Sequence, residues 1–384
     1  MANRPQRRAK GSGSIRKRGA ASWELRYEGP MVDGERKTIY ESVRGSRAQA
    51  DRALRERLAQ VEQGSYLPRS SQTVAEFMQK WLDTYVATNT SARTQQGYAY
   101  YIRRHIGPTL GMVRLQGLTA PQIQAMYGSM KEQGLSNQTV LHCHRIFKQA
   151  LGYAVKWGDL KINPADAATA PRPEKTQLET WEGGTFQKFL TFAEGSQFRE
   201  LYHLAALTGM RRSELCGLKW EDVDLDNGSL RVFRTLQRLD GLGLVEGRPK
   251  TDKLRRTLVL SPTAIATMRR VRACQNENKL RLGDIWQGRG HVFSNENGTP
   301  ISGERVSKDF AKIVKRNDLP HIPLHGLRHT AASLMIAGGV HARTIADILG
   351  HSSISTTMDV YGHLISGVQQ GAVSVLDAAL NKTS

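Results

Sequence analysis

The sequence predicts a multidomain fold: a small N-terminal three-stranded β-sheet plus helix, then an all-α domain, then a mainly α domain with a small antiparallel β-sheet (α+β). The chain has 384 residues, enough for two or three domains with cores of their own. Apolar residues alternate in short runs near the N-terminus and then recur at helical spacing. Polar and proline-containing stretches separate these regions. We therefore place the domains at 1–68, 71–162 and 177–384.

The first domain begins with a basic arm. Residues 1–20 contain seven Arg or Lys residues and no acid, interrupted by a Gly-Ser stretch, as in a flexible arm; a solvated tail is the alternative. Alternating runs at 22–27 and 37–40 predict strands, and Asp33-Gly34 between them predicts a hairpin turn. An apolar stripe over 47–63 predicts the helix that covers this sheet.

Helix start signals divide the second domain. Thr73, Ser91 and Ser136 are typical N-cap residues, and Pro121 suits the first turn of a further helix. The apolar stripes that follow these positions are typical of a helical core. The Pro- and Ala-rich stretch 163–175 predicts a linker to the third domain.

The third domain mixes helices with short strands. Helices are predicted at 183–194 and 197–207, and Pro262 starts another that runs to about Leu280. Three β runs precede Pro262, at 229–236, 242–246 and 255–260. The remainder is predicted to be mostly helical, with Gly338-Gly339 ending one helix.

Charge and cysteine content restrict the function and the compartment. A formal net charge of +20 and a pI of about 10.1 favour a polyanionic partner, although a merely soluble or ribosome-like basic protein is an alternative. Cys143, Cys216 and Cys274 lie far apart and suggest no disulfide framework, which fits a reducing cytosol. No long apolar run predicts a membrane span, and the N-terminus lacks the apolar stretch of a signal peptide.

A spaced set of cations, histidines and one tyrosine indicates phosphodiester chemistry. Its members are Arg211, Lys250, His325, Arg328, His351 and Tyr361. Arginine suits a phosphate because its planar fork can bind two non-bridging oxygens. A tyrosine could attack the phosphorus if cations or a base offset its pKa of about 10. A lysine could donate the proton that the leaving oxygen needs.

Local patterns predict how these side chains are held. His325 and Arg328, three residues apart at a helix start, should share a face, with Leu327, Ala331 and Leu334 as the anchoring stripe. Gly209 should allow a sharp turn before Arg211. Ser213 is expected to cap the helix that follows.

Each of these residues alone has an ordinary structural interpretation. A single arginine is usually a surface or ion-pair residue, Lys250 could lie in a simple turn, and a tyrosine near a C-terminus is usually core or surface. His325 and His329 have the spacing of zinc ligands, but the glutamate of an HExxH helix is absent. His142-Cys143-His144 has no matching partner pair, so no metal site is expected.

Taken together, the motifs resemble those of the tyrosine recombinase (phage integrase) family. ALTGMRRSEL at 206–215, followed by WEDVD at 220–224, is similar to its first arginine box. PKT at 249–251 ahead of RRT at 255–257 is similar to its β-hairpin lysine region. HGLR at 325–328, LGH at 349–351 and Tyr361 are similar to its second box. Met210 stands where leucine is more common, and His351 and Tyr361 are ten residues apart, a tolerated spacing.

The resemblance implies an integrase that cleaves and rejoins DNA through a 3′-phosphotyrosyl intermediate, without ATP, metal or cofactor. It implies that residues 177–384 form the catalytic domain, 71–162 a SAM-like core-binding domain, and 1–68 an arm-type DNA-binding domain. The implied catalytic residues are Arg211, Lys250, His325, Arg328, His351 and the nucleophile Tyr361. The expected DNA-binding residues are Arg16, Lys17, Arg18, Arg26, Lys37, Arg93, Arg103 and Arg104.

The expected partners are double-stranded DNA at core sites and at arm sites, with a homotetramer on DNA. A mobile element is the expected substrate, in the bacterial cytoplasm at the nucleoid, and an excision factor or host DNA-bending protein could assist. The apolar segment 373–380 is expected to dock on a neighbouring protomer, or else on its own domain. Two alternatives use the same scaffold: a catalytically silent DNA-binding regulator and a type IB topoisomerase-like enzyme.

Overall fold

The computed structural model describes residues 13–32, 35–174, 179–247, 255–351, 353–355 and 358. The chain divides into two compact units, Met1–Glu174 and Lys175–Ser384. Five parts of the sequence predictions lie outside the described residues, namely residues 1–12 of the basic arm, the 33–34 turn, Lys250, Tyr361 and the segment 373–380.

The first unit begins with an antiparallel sheet in the order β1-β2-β3. Its strands are β1 (Ser14–Gly19), β2 (Ser22–Val32) and β3 (Glu35–Arg44). Helix α1 (Arg47–Glu62) packs on one face, where Leu25 and Tyr27 are buried with Ala50 and Leu54. The predicted sheet-plus-helix is confirmed.

Helices make up the rest of the first unit. They are α2 (Val74–Trp81), α3 (Ala87–Asn89), α4 (Ala92–Tyr101), α5 (Gly107–Leu110), α6 (Ala120–Glu132) and α7 (Asn137–Lys156). Thr73, Ser91 and Ser136 each accept a hydrogen bond from a backbone N–H in the following first turn, as the sequence predicted. Pro121 lies in the first turn of α6, also as predicted.

Two features of this helical region were not predicted. π-helical segments, Leu82–Val86 and Ile102–Ile106, interrupt the helices that begin with α2 and α4. The stretch 163–175, predicted to be a linker, starts as part of the bundle, because Ala165 and Ala168 are buried in its core.

The second unit is mainly helical. Its helices are α8 (Gly183–Phe192), α9 (Arg199–Thr208), α10 (Arg212–Gly217), α11 (Pro262–Leu282), α12 (Gly303–Arg316), α13 (Gly326–Ala337) and α14 (Ala342–Leu349). Trp181, Phe189, Tyr202 and Phe310 form the aromatic centre of its core. Helix α13 packs on α9, which brings together the two helix ends that carry the candidate site.

The described part of this unit also contains two small sheets. Their strands are β4 (Val223–Asp224), β5 (Ser229–Val232), β6 (Thr235–Leu239), β7 (Gly243–Gly247) and β8 (Arg256–Val259). One sheet has the order β4-β5-β8, and β6-β7 is a separate antiparallel pair. The prediction of one strand over 229–236 is wrong, because the chain changes sheets at Phe233 and Arg234. Arg234 forms ion pairs with Glu221 and Asp222 there.

Cysteine state and membrane propensity can be read from the described residues. Cys143 and Cys216 are buried free thiols, and Cys274 is an exposed one. None of the described helices combines the length and the apolar character needed to span a membrane.

Candidate active site

Two glycines in the left-handed backbone conformation lie where helix ends meet at the site. Gly209 follows α9 with φ 62° and Gly350 follows α14 with φ 67°, a conformation that favours glycine. A Cβ on Gly209 would lie 2.5 Å from Leu349 Cδ2, so the ends of α9 and α14 approach closely. The predicted sharp turn before Arg211 is confirmed.

Arg211 lies at the N-cap of α10. Its Nη1 donates to Glu214 Oε1 at 2.8 Å and its Nη2 to the Gly350 carbonyl at 3.1 Å. The prediction that Ser213 caps this helix is wrong. The Glu214 carboxylate instead reaches back to the backbone N–H of Arg211 at 2.9 Å, so the helix starts two residues earlier than a Ser213 cap would place it.

Arg328 lies in the first turn of α13 and is only 3% exposed. Its Nη1 donates to the Gly209 carbonyl at 2.8 Å, which ties this arginine to the turn that carries Arg211. Leu327 and Ala331 anchor the helix as predicted. Leu334 does not, because it is 44% exposed, and Ile336 is buried in its place.

Two histidines adjoin the arginines. Burial, together with the charges of His329, Arg328 and Arg211, lowers the pKa of His325 to about 4. Burial and the guanidinium groups of Arg328, Arg211 and Arg256 lower the pKa of His351 to about 4. Both imidazoles are therefore neutral near pH 7, when each can accept a proton at one ring nitrogen and donate one from the other.

Glu214 joins the site although the sequence analysis gave it no role. Its side chain is 2% exposed and contacts both Arg211 and Arg256. Burial opposes ionisation of this carboxyl, but the hydrogen bonds from Arg256 and Arg211 outweigh it and hold its pKa below the usual range. A glutamate three residues after an N-cap position is a capping-box signal that could have identified this contact.

Arg256 is the second site residue without a predicted role, although the RRT stretch at 255–257 that contains it was part of the family resemblance. Its guanidinium binds both oxygens of Glu214 and its Nε donates to the Ile348 carbonyl at 2.6 Å. Strand alternation was the available signal, because Arg256 shares a face with the buried Leu258 and Leu260, whereas Arg255 is exposed.

The site is a cationic surface bordered by a cleft. The cleft has a volume of about 290 Å³, and Arg256, Arg343, Gly350 and His351 are among its lining residues. The structure thus brings together four of the six expected catalytic residues, Arg211, His325, Arg328 and His351. Within the described ranges, no group of three His, Cys, Asp or Glu side chains could hold a metal ion.

The expected DNA-binding residues of the N-terminal sheet are all exposed but do not share one face. Arg26 and Tyr40 are register partners on the face opposite α1, with the guanidinium carbon 5.8 Å from the ring centroid. Arg16 lies on the same face, opposite Glu24, and Arg18 forms an ion pair with Glu24 at 2.6 Å. By strand alternation, Lys17 and Lys37 lie on the opposite face of the sheet, the face that α1 packs on.

The three expected DNA-binding arginines of the helical region are also exposed. Arg93 lies in the first turn of α4. Arg103 and Arg104 lie in the π-helical segment Ile102–Ile106, next to the buried His105 and Ile106. The last two residues of the segment therefore anchor it in the protein interior, while the two arginines face solvent.

Comparison with known proteins matches part of each unit to a phage integrase domain. Residues 186–366 match the phage integrase family, and residues 73–131 match the phage integrase N-terminal SAM-like domain. A tyrosine recombinase XerC-like protein of Caldanaerobacter subterraneus is 29% identical over 350 residues, covering 86% of this chain and 90% of the relative. The ICEBs1 integrase of Bacillus subtilis is 30% identical over 287 residues, covering 74% of this chain and 77% of the relative.

Solved structures share the fold. The Tn1549 transposon integrase in complex with transposon right end DNA has a TM-score of 0.68 at 23% identity, covering 80% of this chain and all of that one. A lambda integrase tetramer bound to a Holliday junction has a TM-score of 0.58 at 19% identity, covering 92% of this chain and 97% of that one. The chain is a tyrosine recombinase and belongs to the phage integrase family.

Proposed function

We propose that the protein is the site-specific integrase of a mobile element and that Tyr361 is its nucleophile. The Tyr361 oxygen attacks the scissile phosphorus, the bond from phosphorus to the 5′ oxygen breaks, and a 3′-phosphotyrosyl link forms. The 5′ hydroxyl of a partner strand then attacks this link and releases the tyrosine. One phosphoester replaces another in each step, so the exchange needs no energy source.

The roles assigned to the other residues follow from their chemistry. Arg211 and Arg328 bind the non-bridging oxygens, where charge builds up in the transition state, and a fixed donor there is typically worth about 10²–10³ in rate. Lys250 protonates the leaving 5′ oxygen. His325 and His351, neutral near pH 7, exchange protons with Tyr361 and with the phosphate oxygens.

One observation supports the proposal most strongly. The bonds from Arg328 to the Gly209 carbonyl and from Arg211 to the Gly350 carbonyl join sequence segments more than a hundred residues apart around one surface. Both guanidinium groups are held by backbone carbonyls and, for Arg211, by Glu214. A rigid pair of cations beside two neutral histidines is suited to a phosphodiester.

We further propose that the protein acts as a homotetramer on double-stranded DNA, with core sites bound by the second and third domains and arm sites by the first. The lambda integrase tetramer on a Holliday junction, which shares the fold, supports this assembly. The exposed arginines of the sheet support arm binding, and the free thiols fit the reducing bacterial cytoplasm, where the nucleoid lies.

A suicide duplex tests the proposal. The DNA carries the end sequence of the mobile element and a nick near the exchange point, so that cleavage releases a short strand and traps the covalent product. Full-length wild type and Tyr361→Phe are incubated with it in EDTA and resolved on a denaturing gel. The wild type should form a protein–DNA adduct and Tyr361→Phe should not.

Two other results would change the assignment. Tight DNA binding by wild type with no adduct would favour a silent DNA-binding regulator. An adduct together with relaxation of supercoiled DNA that lacks any recombination site would favour a topoisomerase-like enzyme.

A further inference from the structure

Arg256 connects three separate segments of the second unit. It lies at the start of β8, and its side chain is 7% exposed. Two of its nitrogens donate to Glu214, from Nη1 to Oε1 at 3.3 Å and from Nη2 to Oε2 at 3.0 Å. Its Nε donates to the Ile348 carbonyl in the last turn of α14 at 2.6 Å. This fork engages a carboxylate and a helix end at once.

Both contacts of Arg256 lead to residues with proposed catalytic roles. Glu214 binds the Arg211 guanidinium at 2.8 Å and the Arg211 backbone N–H at 2.9 Å. Ile348 is followed after one residue by Gly350, whose carbonyl accepts a bond from Arg211 at 3.1 Å. The contacts therefore close a ring from Arg256 through Glu214 and Arg211 to Gly350 and back through Ile348.

The turn before His351 is shaped around the same guanidinium. Gly350 has φ 67°, and a Cβ added there would lie 2.8 Å from Arg256 Nη1. The absence of a side chain at Gly350 thus lets Arg256 pack directly against the backbone that leads into His351. Arg256 also adds a positive charge that acts on His351.

We infer that Arg256 is a positioning residue that fixes Arg211 and His351 relative to each other through Glu214 and the end of α14. The inference rests on the proposed function, because Arg211 and His351 are the residues that it positions. A purely structural role, in which Arg256 only neutralises the buried Glu214, would be met by any residue that supplies a positive charge.

Arg256→Lys separates the two roles. Lysine keeps the charge but has no planar fork, so it cannot bind Glu214 bidentately and the Ile348 carbonyl together. Arg270→Lys is the matched control, because Arg270 also binds a glutamate, Glu200, at 2.9 Å but is half exposed on α11. Each full-length variant is tested for thermal unfolding, for binding to the element-end duplex and for the single-turnover rate of adduct formation.

Arg256→Lys should fold and bind DNA like the wild type but form the adduct about 10²-fold more slowly, as expected for a small misplacement of reacting groups. Arg270→Lys should match the wild type in all three measurements. If Arg256→Lys fails to fold, Arg256→Gln, which leaves the buried Glu214 carboxylate paired with Arg211, should show the same slow cleavage.

A duplex with an uncharged scissile group provides a second test. If Arg256 had only a structural role, the ratio of wild-type to Arg256→Lys cleavage rates would be the same on this duplex and on the phosphate duplex. Replacing one non-bridging oxygen by a methyl group removes charge that Arg211 is proposed to neutralise. The ratio of wild-type to Arg256→Lys cleavage rates should therefore be smaller on this methylphosphonate duplex than on the phosphate duplex.

Cleavage by Arg256→Lys at the wild-type rate would overturn the inference, as would an equal rate ratio on the two duplexes. These results differ from failure of the proposed function, in which the wild type itself forms no adduct.

Discussion

Arg328 donates a hydrogen bond of 2.8 Å to the backbone carbonyl of Gly209, 119 residues away in sequence. The bond joins the first turn of α13 to Gly209 at the end of α9, two residues before Arg211. The arginine of one motif is therefore held by the backbone of the other. A displacement of either helix end would move both guanidinium groups.

Arg328→Lys should reduce adduct formation by about 10²–10³-fold, because lysine cannot donate to the Gly209 carbonyl and to a phosphate with the same planar geometry. Single-turnover cleavage of the suicide duplex measures this. Arg281→Lys, a change at an exposed arginine of α11, should cleave like the wild type. Equal rates for Arg328→Lys and Arg281→Lys would exclude a special role for Arg328.

Gly209→Ala should destabilise the second unit more than Gly339→Ala does. Both glycines have positive φ, so each alanine incurs a conformational cost of about 1–2 kcal/mol. Only at Gly209 does the new Cβ overlap Leu349, which should add about 1–3 kcal/mol. Thermal unfolding of the two full-length variants makes the comparison, and equal destabilisation would mean that α9 and α14 do not pack as described.

The stability of the folded protein should fall as the pH is lowered from about 6.5, the pKa of an unfolded histidine, towards about 4. In this window the unfolded chain binds a proton at His351 and the folded protein does not. The contribution of His351 to the free energy of unfolding is complete above about pH 6.5 and is lost as the pH falls towards about 4. Below about pH 4 it changes no further. Thermal unfolding of wild type and His351→Gln at about pH 7.5 and pH 5 should show the smaller pH effect in the variant. Equal pH effects would contradict the lowered pKa.

Charge removal on the open face of the N-terminal sheet should weaken arm-site binding selectively. Arg16→Gln/Arg26→Gln removes two cations from that face, whereas Arg52→Gln/Arg55→Gln removes two from the exposed side of α1. Footprints at flanking sites should weaken only for the sheet variant, and the salt dependence of its binding should be shallower, since fewer phosphates are neutralised. Core-site cleavage should be retained in both.

Local signals predicted much of the fold. The caps at Thr73 and Ser136 and the turn at Gly209 depend on residues within a few positions of each other, so the sequence contains enough to predict them. The π-helical segments have no such signal. The incorrect cap at Ser213 shows that two nearby residues can compete for one role. The Arg211 backbone N–H donates to the Glu214 carboxylate, so the helix begins before Ser213.

Long-range contacts explain what the sequence analysis missed at the site. Motif resemblance supplied the four described residues that the structure brings together. It included Arg256 in the RRT stretch but gave it no role, because the contacts behind its proposed role involve Glu214, 42 residues away, and Ile348, 92 residues away. Leu334 was misassigned for a related reason, since only the packing of α13 decides which of its apolar residues are buried.

The most direct test of the proposed function is to identify the residue that carries the DNA. The wild-type adduct is digested with a protease and a nuclease, and the modified peptide is sequenced by mass spectrometry. Catalysis by Tyr361 predicts a nucleotide joined through its 3′ phosphate to this tyrosine. A nucleotide on any other residue, or one joined through a 5′ phosphate, would contradict it.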